Sequence, residues 1–271
     1  MRERKLVVIS LGAGVQSSTM ALMAGDGTLP KVDCAIFADT GNEPKSVYNY
    51  LDYLKDVLPF PIHIVKKSNI ITDLNNSIKH GSRFPNAPFF TKNPDTNKKG
   101  MLRRMCTTDY KIQPIKKKIR ELCGVGFKKR FPKNEYVEQW IGISTDEIMR
   151  MKPSRDKYII NRHPLIEAKL SRNDCLKYLK DNKFLIPEKS ACIICPYHND
   201  SYWHFMKKYR TNEFKQAVQI DKKLRKGIKK VQDEIFLHKS CIPLDQVDFD
   251  KKDDKKQLDM FNNECEGMCG V

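Results

Sequence analysis

The feature that most constrains the fold is an apolar, β-branched run that leads directly into a loop of small residues. The run is KLVVIS (5–10), the loop is GAGVQSS (12–18), and a helix-forming segment, SSTMALMA, overlaps the end of the loop. Such a run is typical of a strand that is buried in a parallel sheet. The order of strand, loop and helix therefore predicts the first unit of an α/β domain.

The same alternation continues along the chain. DCAIFAD (33–39) and IHIV (62–65) predict two further strands, and residues 47–58 between them place apolar side chains at helical spacing. TDYKIQPIKKKIREL (108–122) predicts a helix and YVEQWIGIS (136–144) another strand. We therefore expect a doubly wound parallel sheet, in which ligands bind at the carboxyl ends of the strands.

The remaining segments suggest how the chain is organised. Residues 81–105 are rich in Pro, Asn and Lys and predict a long surface loop. SRNDCLKYLKDN (171–182) begins with an N-capping serine that has an acidic residue three positions later, and two amphipathic helices are expected between 200 and 226. We expect a nucleotide-binding domain over 1–185 and a helical extension that contains a CxxC motif over 186–271.

The loop of small residues is suited to an anion. A Walker A loop is excluded because the sequence has no GK followed by Ser or Thr. A dinucleotide fingerprint would need a third glycine where Ser17 stands, although Asp39 would serve as its ribose-binding acid. Gly12, Ala13 and Gly14 let backbone N–H groups face a phosphate at the start of a helix. A tight turn without a ligand is the alternative.

Composition narrows the function and the partners. The 271 residues carry 50 Lys and Arg against 33 Asp and Glu, a net charge of +17, which favours a nucleic-acid partner unless these surfaces are simply solvated. No apolar run reaches about 18 residues and no signal peptide is evident, so we expect a cytoplasmic protein without a membrane partner. In that compartment the nine cysteines indicate metal or redox sites rather than disulfides.

Five segments resemble one known family in the same order. GAGVQS (12–17) resembles the PP-loop of the ATP pyrophosphatase superfamily, usually SGGxDS, with Gly12, Ala13 and Gln16 as departures from it. The other four segments resemble the sulfonucleotide (PAPS) reductase branch of that superfamily. They are FADTGNEPKSV (37–47), RRMCTTDYKIQP (103–114), GISTDEIMRMKP (142–153) and HPLIEAKLSRNDCLKYL (163–179). The resemblance covers about residues 5–200 and implies an adenine nucleotide alpha-hydrolase-like fold.

The resemblance also implies a set of site residues. An adenine nucleotide, ATP with Mg²⁺ in our leading interpretation, is expected at two groups of residues. The phosphate group is Gly12, Gly14, Gln16, Ser17 and Ser18, and the nucleoside group is Asp39, Thr40, Gly41 and Glu43. Gln16 replaces an acid that could help to organise the magnesium ion. Arg104 and Lys111 would neutralise phosphate or sulfate charge, and Cys106 falls where the family places active-site cysteines.

The clustered cysteines point to sulfur chemistry. CIIC (192–195), followed by Pro196, is a CxxC motif of the kind found in zinc knuckles, redox dithiols and iron–sulfur clusters. Superfamily members that thiolate RNA are similar in joining a lone cysteine to a later CxxC around a 4Fe-4S cluster with one open iron. Cys106, Cys192 and Cys195 would be the ligands here. Zinc held with His198 and His204 is the alternative.

These observations lead to one main function and two alternatives. The main prediction is adenylation of a nucleic-acid acceptor by ATP, followed by transfer of sulfur from an unidentified donor. The first alternative is reduction of an adenylyl sulfate, in which Cys265 or Cys269 would be the nucleophile rather than a fourth cluster ligand. The second is a non-enzymatic protein that responds to nucleotide or binds nucleic acid.

A basic surface is expected to bind the RNA or DNA. Its residues bracket Cys106 in the sequence, so that a polyanion held there would pass the proposed sulfur site. They are Arg103, Arg104, Lys116, Lys117, Lys118, Lys128, Lys129 and Arg130.

Overall fold

The structure is a computed structural model that describes residues 2–85, 87–126, 129–225, 227–228 and 231–249. Its strands, in chain order, are β1 (Glu3–Leu11), β2 (Cys34–Asp39), β3 (Ile62–Lys66), β4 (Phe90–Lys92), β5 (Lys99–Met101), β6 (Glu135–Ile141), β7 (Ile159–Arg162) and β8 (Glu234–Phe236). Its α-helices are α1 (Val15–Gly25), α2 (Lys45–Val57), α3 (Ile70–His80), α4 (Gln113–Leu122), α5 (Pro164–Glu167), α6 (Arg172–Asp181), α7 (Asp200–Tyr209) and α8 (Thr211–Leu224).

The main sheet has five parallel strands in the order β3-β2-β1-β6-β7. The strand before the glycine loop, β1, is central, and its Val8 lies opposite Cys34 of β2 and Gln139 of β6. All five strands run in the same direction, so their carboxyl ends meet at one edge. The expected parallel α/β sheet is confirmed.

Helices cover both faces of this sheet because alternate side chains of β1 point in opposite directions. Val7, Ile9 and Leu11 pack into a core that includes residues of α1, α2 and α6. Val8 points to the other face, where Ile115 of α4 packs with residues of β2, β6 and β7. The sheet is therefore doubly wound, as its alternating sequence predicts.

A second, smaller sheet corrects the prediction of a surface loop over 81–105. Within that segment β4 pairs with β5, and β4 also pairs with β8 from far along the chain, in the order β5-β4-β8. Phe89 is only 1% exposed and belongs to a second core with Trp203 of α7 and Phe214 of α8. This core draws residues from both sides of the expected boundary at 185, and that boundary stays a prediction.

Several local predictions are confirmed. Residues 171–174 form a capping box, in which Ser171 caps the first turn of α6 and Asp174 bonds back to the Ser171 backbone. The two helices expected between 200 and 226 are α7 and α8.

Among the described residues, no helix is both long enough and apolar enough to cross a membrane.

Candidate functional site

The loop between β1 and α1 is closed by its own serine. Ser17 Oγ accepts a hydrogen bond from the Gly12 N–H at 3.2 Å and donates one to the Gly14 carbonyl at 3.3 Å. Gly14 is the N-cap of α1 and has no side-chain cap, so the first N–H groups of the helix depend on another acceptor. Ser18 is fully buried behind the loop. This arrangement places a helix N-terminus at the carboxyl edge of the sheet, as an anion site requires.

Two backbone positions fix the shape of this loop. Ala13, which stands where the PP-loop pattern has glycine, has φ of 55°, in the left-handed region that favours glycine. Gly142, just after β6, lies so close to the loop that a Cβ atom there would be 2.7 Å from the Ser17 Cα atom. The loop is therefore strained at one residue and tightly packed at another.

Gln16 is held by a network of charged side chains. Its Nε2 donates to Glu147 Oε2 at 3.4 Å, and its Oε1 accepts from Arg172 Nη1 at 2.9 Å. Glu147 is buried and forms an ion pair with Arg150. Magnesium prefers oxygen ligands that include carboxylates, and the carboxylate beside this loop is already paired with a cation. These residues therefore do not form a magnesium site of their own.

Asp39 ends β2 and is surrounded by donors. It accepts hydrogen bonds from the Gly41 N–H at 2.6 Å, from Tyr48 Oη at 2.7 Å and from Lys66 Nζ at 3.0 Å. Burial alone would raise the pKa of Asp39, but these hydrogen bonds and the Lys66 charge outweigh it and lower the pKa below its usual value. Asp39 is therefore an anion that organises the turn after β2.

The turn after β2 is joined directly to the CxxC segment. Asn42 accepts hydrogen bonds from the Ile193 N–H through its backbone carbonyl at 2.8 Å and from the Ile194 N–H through its side chain at 3.2 Å. Cys192 Sγ lies 3.1 Å from Thr40 Oγ1 and 3.6 Å from Glu43 Oε1. Gly41 and Glu43, on either side of Asn42, are predicted from the sequence, but Asn42 is not, because no local pattern shows that the CxxC segment packs there.

Three cysteines line one pocket at this edge of the sheet. Cys106 and Cys192 are partly exposed and Cys195 is buried, and all three face the same cavity. The other lining residues come from the turn after β2, from the segment around Cys106 and from the residues that follow Cys195. They are Thr40, Ile70, Ala87, Pro88, Arg104, Thr107, Lys111, Ile194, Pro196 and Tyr197. The structure thus brings together all of the predicted catalytic residues and metal ligands.

The two cations of the pocket lie on either side of Cys106 in the sequence, Arg104 before it and Lys111 after it. Thr108–Ile112 forms a π-helical turn before α4, a rare geometry that is often associated with functional sites. Within this turn Lys111 projects to the pocket and its Nζ lies 3.8 Å from Glu43 Oε1. Arg104 donates from Nε to Thr107 Oγ1 at 3.1 Å and lies over the Tyr197 ring at 5.3 Å from its centroid. Both positive charges are positioned beside the three thiols.

His198 supports the backbone of the CxxC turn. Its Nε2 donates to the Cys192 carbonyl at 2.9 Å, and its ring packs at 4.3 Å from the Tyr202 ring. Burial, with the charge of Lys189 as a smaller cause, lowers the pKa of His198 to about 3, so the ring is neutral near pH 7. This hydrogen bond gives His198 a structural role, which is to support the CxxC turn.

The donors of the pocket fit an iron–sulfur cluster chemically, because cysteine thiolates are the usual ligands of such clusters. Over the described ranges, however, no group of three or more His, Cys, Asp or Glu side chains is arranged to hold a metal ion. Cluster ligation by Cys106, Cys192 and Cys195, and the zinc alternative, stay predictions. Cys265 and Cys269 lie outside the described residues.

The basic residues expected to form one surface divide between different cavities. Lys116 forms an ion pair with Asp156 and lines a cavity with Lys152 and Arg155. Lys117 and Lys118 line a different cavity beside β3. Lys128 lies outside the described residues.

Comparison with known proteins gives no match to a family model or a curated sequence, and a distant likeness to solved structures. The structure of phosphoadenylyl-sulfate (PAPS) reductase from Candida auris, in a phosphate complex, is similar at 14% identity and a TM-score of 0.45, covering 69% of this chain and 80% of that chain.

Proposed function

We propose that this protein activates an oxygen of a nucleic acid with ATP and then replaces that oxygen with sulfur. The observation that carries the proposal is the pocket in which Cys106, Cys192 and Cys195 meet Arg104 and Lys111. Three thiols from two distant segments, beside two cations and next to a nucleotide-type loop, are suited to sulfur chemistry on a phosphorylated intermediate.

The nucleotide end of the reaction is supported by the sheet. β1 and β2 are adjacent, so the loop after β1 and the turn after β2 lie side by side at the carboxyl edge, where α/β sheets bind ligands. The N-terminus of α1 favours the negative charge of a polyphosphate. Thr40 belongs to that turn and also lines the three-cysteine pocket. Activation and sulfur transfer would therefore take place in contiguous space.

The chemistry balances without an external oxidant or reductant. The acceptor oxygen attacks the α-phosphate of ATP, the bond to pyrophosphate breaks, and an amide-type acceptor loses its N–H proton. A hydrosulfide then attacks the activated carbon, the carbon–oxygen bond breaks, and AMP leaves with the oxygen. The proton of the hydrosulfide returns to the acceptor, which becomes a thiocarbonyl. Arg104 and Lys111 would stabilise the negative charge that develops on the leaving AMP.

An iron–sulfur cluster would be held by Cys106, Cys192 and Cys195, and it would supply an iron without a protein ligand that can carry sulfide. The roles of the surrounding residues do not depend on it. Asn42 and His198 hold the CxxC turn in place. Glu43 balances Lys111, so that the pocket does not become strongly cationic before the anionic intermediate arrives.

Reduction of an adenylyl sulfate is the second candidate. It is favoured by the two cations, since Arg104 and Lys111 beside three thiols would equally suit a sulfate group. A non-enzymatic nucleotide-responsive or nucleic-acid-binding protein is the third, because Gln16 gives the loop no carboxylate of its own.

The decisive experiment measures two products in parallel. Anaerobically purified protein is incubated with ATP, sulfide and cellular RNA or DNA, and pyrophosphate release and thionucleosides are quantified by enzymatic assay and mass spectrometry. We expect both products from the wild type, pyrophosphate alone from Cys192→Ala, and both from the control Cys123→Ala, whose thiol lies outside the pocket. A parallel incubation with an adenylyl sulfate and a thiol reductant that yields sulfite, when the first incubation yields no thionucleosides, would establish the reductase instead. If neither pyrophosphate nor sulfite is formed, the non-enzymatic binding protein would be the remaining candidate.

Two further measurements test the parts of the site. Calorimetry should show ATP binding that is lost in the double variant Ser17→Ala with Gly14→Val. Equal binding by that variant would show that the nucleotide does not bind at this loop. Protein purified without oxygen should be brown and contain iron and acid-labile sulfide that Cys106→Ala loses. Colourless protein with one zinc ion per chain would contradict the cluster.

A further inference from the structure

A basic groove lies between β3, at the edge of the main sheet, and α4. Its cavity volume is about 830 Å³, and five cations line it from three separate segments of the chain. They are Lys66, Lys67, Arg83, Lys117 and Lys118. Only the last two belong to the basic stretch that the sequence singles out, so the groove is a product of the fold.

The groove keeps an excess of positive charge after its internal ion pairs are counted. Its lining contains two carboxylates: Asp109 lies 2.8 Å from Arg83 and 3.8 Å from Lys67, and Glu121 lies 2.6 Å from Lys118. Lys66 is paired with Asp39 behind the groove at 3.0 Å. Burial and the nearby Lys118 lower the pKa of His63, which keeps this histidine neutral at pH 7. Five cations are therefore offset by three carboxylates, two in the lining and Asp39 behind it.

The paired cations remain available to an anion. Arg83 has 71% of its side chain exposed, Lys66 45% and Lys67 42%. Lys117 is exposed, and among the described residues it forms no ion pair. Because much of each cation faces solvent, a phosphate can bind it from the open side of the groove while the carboxylate partner stays in place.

The groove shares a wall with the three-cysteine pocket. In the π-helical turn before α4, Asp109 lines the groove and Lys111, two residues later, lines the pocket. At the other end, Lys66 is bonded to Asp39, which directly precedes Thr40 of the pocket. A polymer bound in the groove would therefore be separated from the three thiols by only one turn of the protein backbone.

We propose that this groove binds the sugar–phosphate backbone of the nucleic acid and presents the neighbouring nucleotide to the three-cysteine pocket. The inference rests on the proposed function for the identity of the acceptor. The extended row of cations supports a chain of phosphates over a single ion, because the groove follows α4, a helix of 10 residues or about 15 Å. The same edge of β3 would also accept an acidic peptide as an added strand, and the experiment separates the two.

The test compares two triple variants that remove the same amount of charge. The groove variant is Arg83→Gln with Lys117→Gln and Lys118→Gln. The control is Lys177→Gln with Lys180→Gln and Lys183→Gln, in and after α6, which packs on the opposite face of the sheet from α4. Fluorescence anisotropy follows a labelled single-stranded RNA, the DNA of the same sequence and a poly-glutamate peptide over a series of salt concentrations. Thermal unfolding checks that both variants are folded.

We expect the wild type and the control to bind the oligonucleotides with the same salt dependence. The slope of log Kd against log salt should fall by about 2 in the groove variant, because each lost phosphate contact to a single strand removes about 0.7. Equal slopes for all three proteins would show that the groove is not the binding site, and a nucleic-acid acceptor that binds elsewhere would still be consistent with the data. If poly-glutamate binds as tightly as RNA, the ligand of the groove would be an acidic peptide and not a nucleic-acid backbone. A wild type that binds no oligonucleotide at low salt but still releases pyrophosphate would overturn the nucleic-acid acceptor and retain the activation step.

Discussion

Thr40 Oγ1 lies 3.1 Å from Cys192 Sγ, so a residue at the end of β2 touches a cysteine that follows it by more than half of the chain. The same hydroxyl donates to Glu43 Oε1 at 3.0 Å, and Glu43 in turn faces Lys111. The turn after β2 is therefore in contact with both the CxxC segment and the segment that carries Lys111.

Glu43 is expected to restrain the reactivity of Cys192. A carboxylate 3.6 Å from the sulfur opposes formation of the thiolate, so Glu43→Gln should speed alkylation of Cys192 by about three- to tenfold. Metal-free, reduced protein is treated with iodoacetamide at constant pH, and the Cys192 peptide is followed by mass spectrometry. Glu121→Gln, on exposed α4, is the control and should react as the wild type does. Slower alkylation in Glu43→Gln would mean that the carboxylate activates the thiol.

Gly142 is expected to be essential for the loop. In Gly142→Ala the new methyl group would meet the Ser17 backbone at 2.7 Å, and the loop would have to move because backbone cannot step aside as a side-chain tip does. Overpacking of this kind costs about 1–3 kcal/mol, which corresponds to at least a fivefold loss of ATP affinity if the strain falls on the bound loop. Calorimetry measures the affinity. Gly126→Ala, whose methyl group would meet only the Lys129 side chain, should bind as the wild type does.

Ala13 and Ala21 should respond differently to replacement by glycine. Both are buried, but Ala13 has left-handed φ and Ala21 lies inside α1. Ala21→Gly loses a buried methyl group and helix propensity, and should lower the free energy of unfolding by about 2 kcal/mol. Ala13→Gly loses a similar methyl group but relieves about 1–2 kcal/mol of backbone strain, so its stability should change by less than about 1 kcal/mol. Urea unfolding curves give both values, and equal losses would show that the loop is unstrained.

The buried His198 makes the protein sensitive to acid. Its pKa is about 3 in the folded protein and about 6.5 in the unfolded chain, so between these values the unfolded state binds a proton that the folded state does not. Stability should be complete above about pH 6.5 and fall by up to about 1.4 kcal/mol per pH unit below it. His198→Gln should flatten this part of the profile, as measured by urea unfolding from pH 7 to pH 4.

The main sheet was predictable from the sequence because its signals are local. The β1 run, the spacing of apolar residues in α2 and the Ser171 cap each lie within a single segment, and the structure contains all three. The sharing of one pocket by Cys106 and the CxxC motif was inferred from a family resemblance, and the structure places them together.

The remaining features depend on contacts between distant segments. β4 and β5 have three residues each, too few to show an alternating pattern, and β4 is completed by β8 from beyond α8. Asn42 looks like an ordinary turn residue until the CxxC segment packs on it. Lys66, Lys67 and Arg83 join the groove only because β3 and α4 are neighbours in space.

The pairing of Phe90 with Phe236 in the small sheet has a consequence for the order in which the protein is made. Every strand of the main sheet has been synthesised once Arg162 has been added, so this sheet can fold while synthesis continues. The core that packs around Cys106 includes Ile193, Ile194 and Ile235, and it cannot close until those residues have emerged. The growing polypeptide therefore acquires the loop after β1 well before the three-cysteine pocket can form.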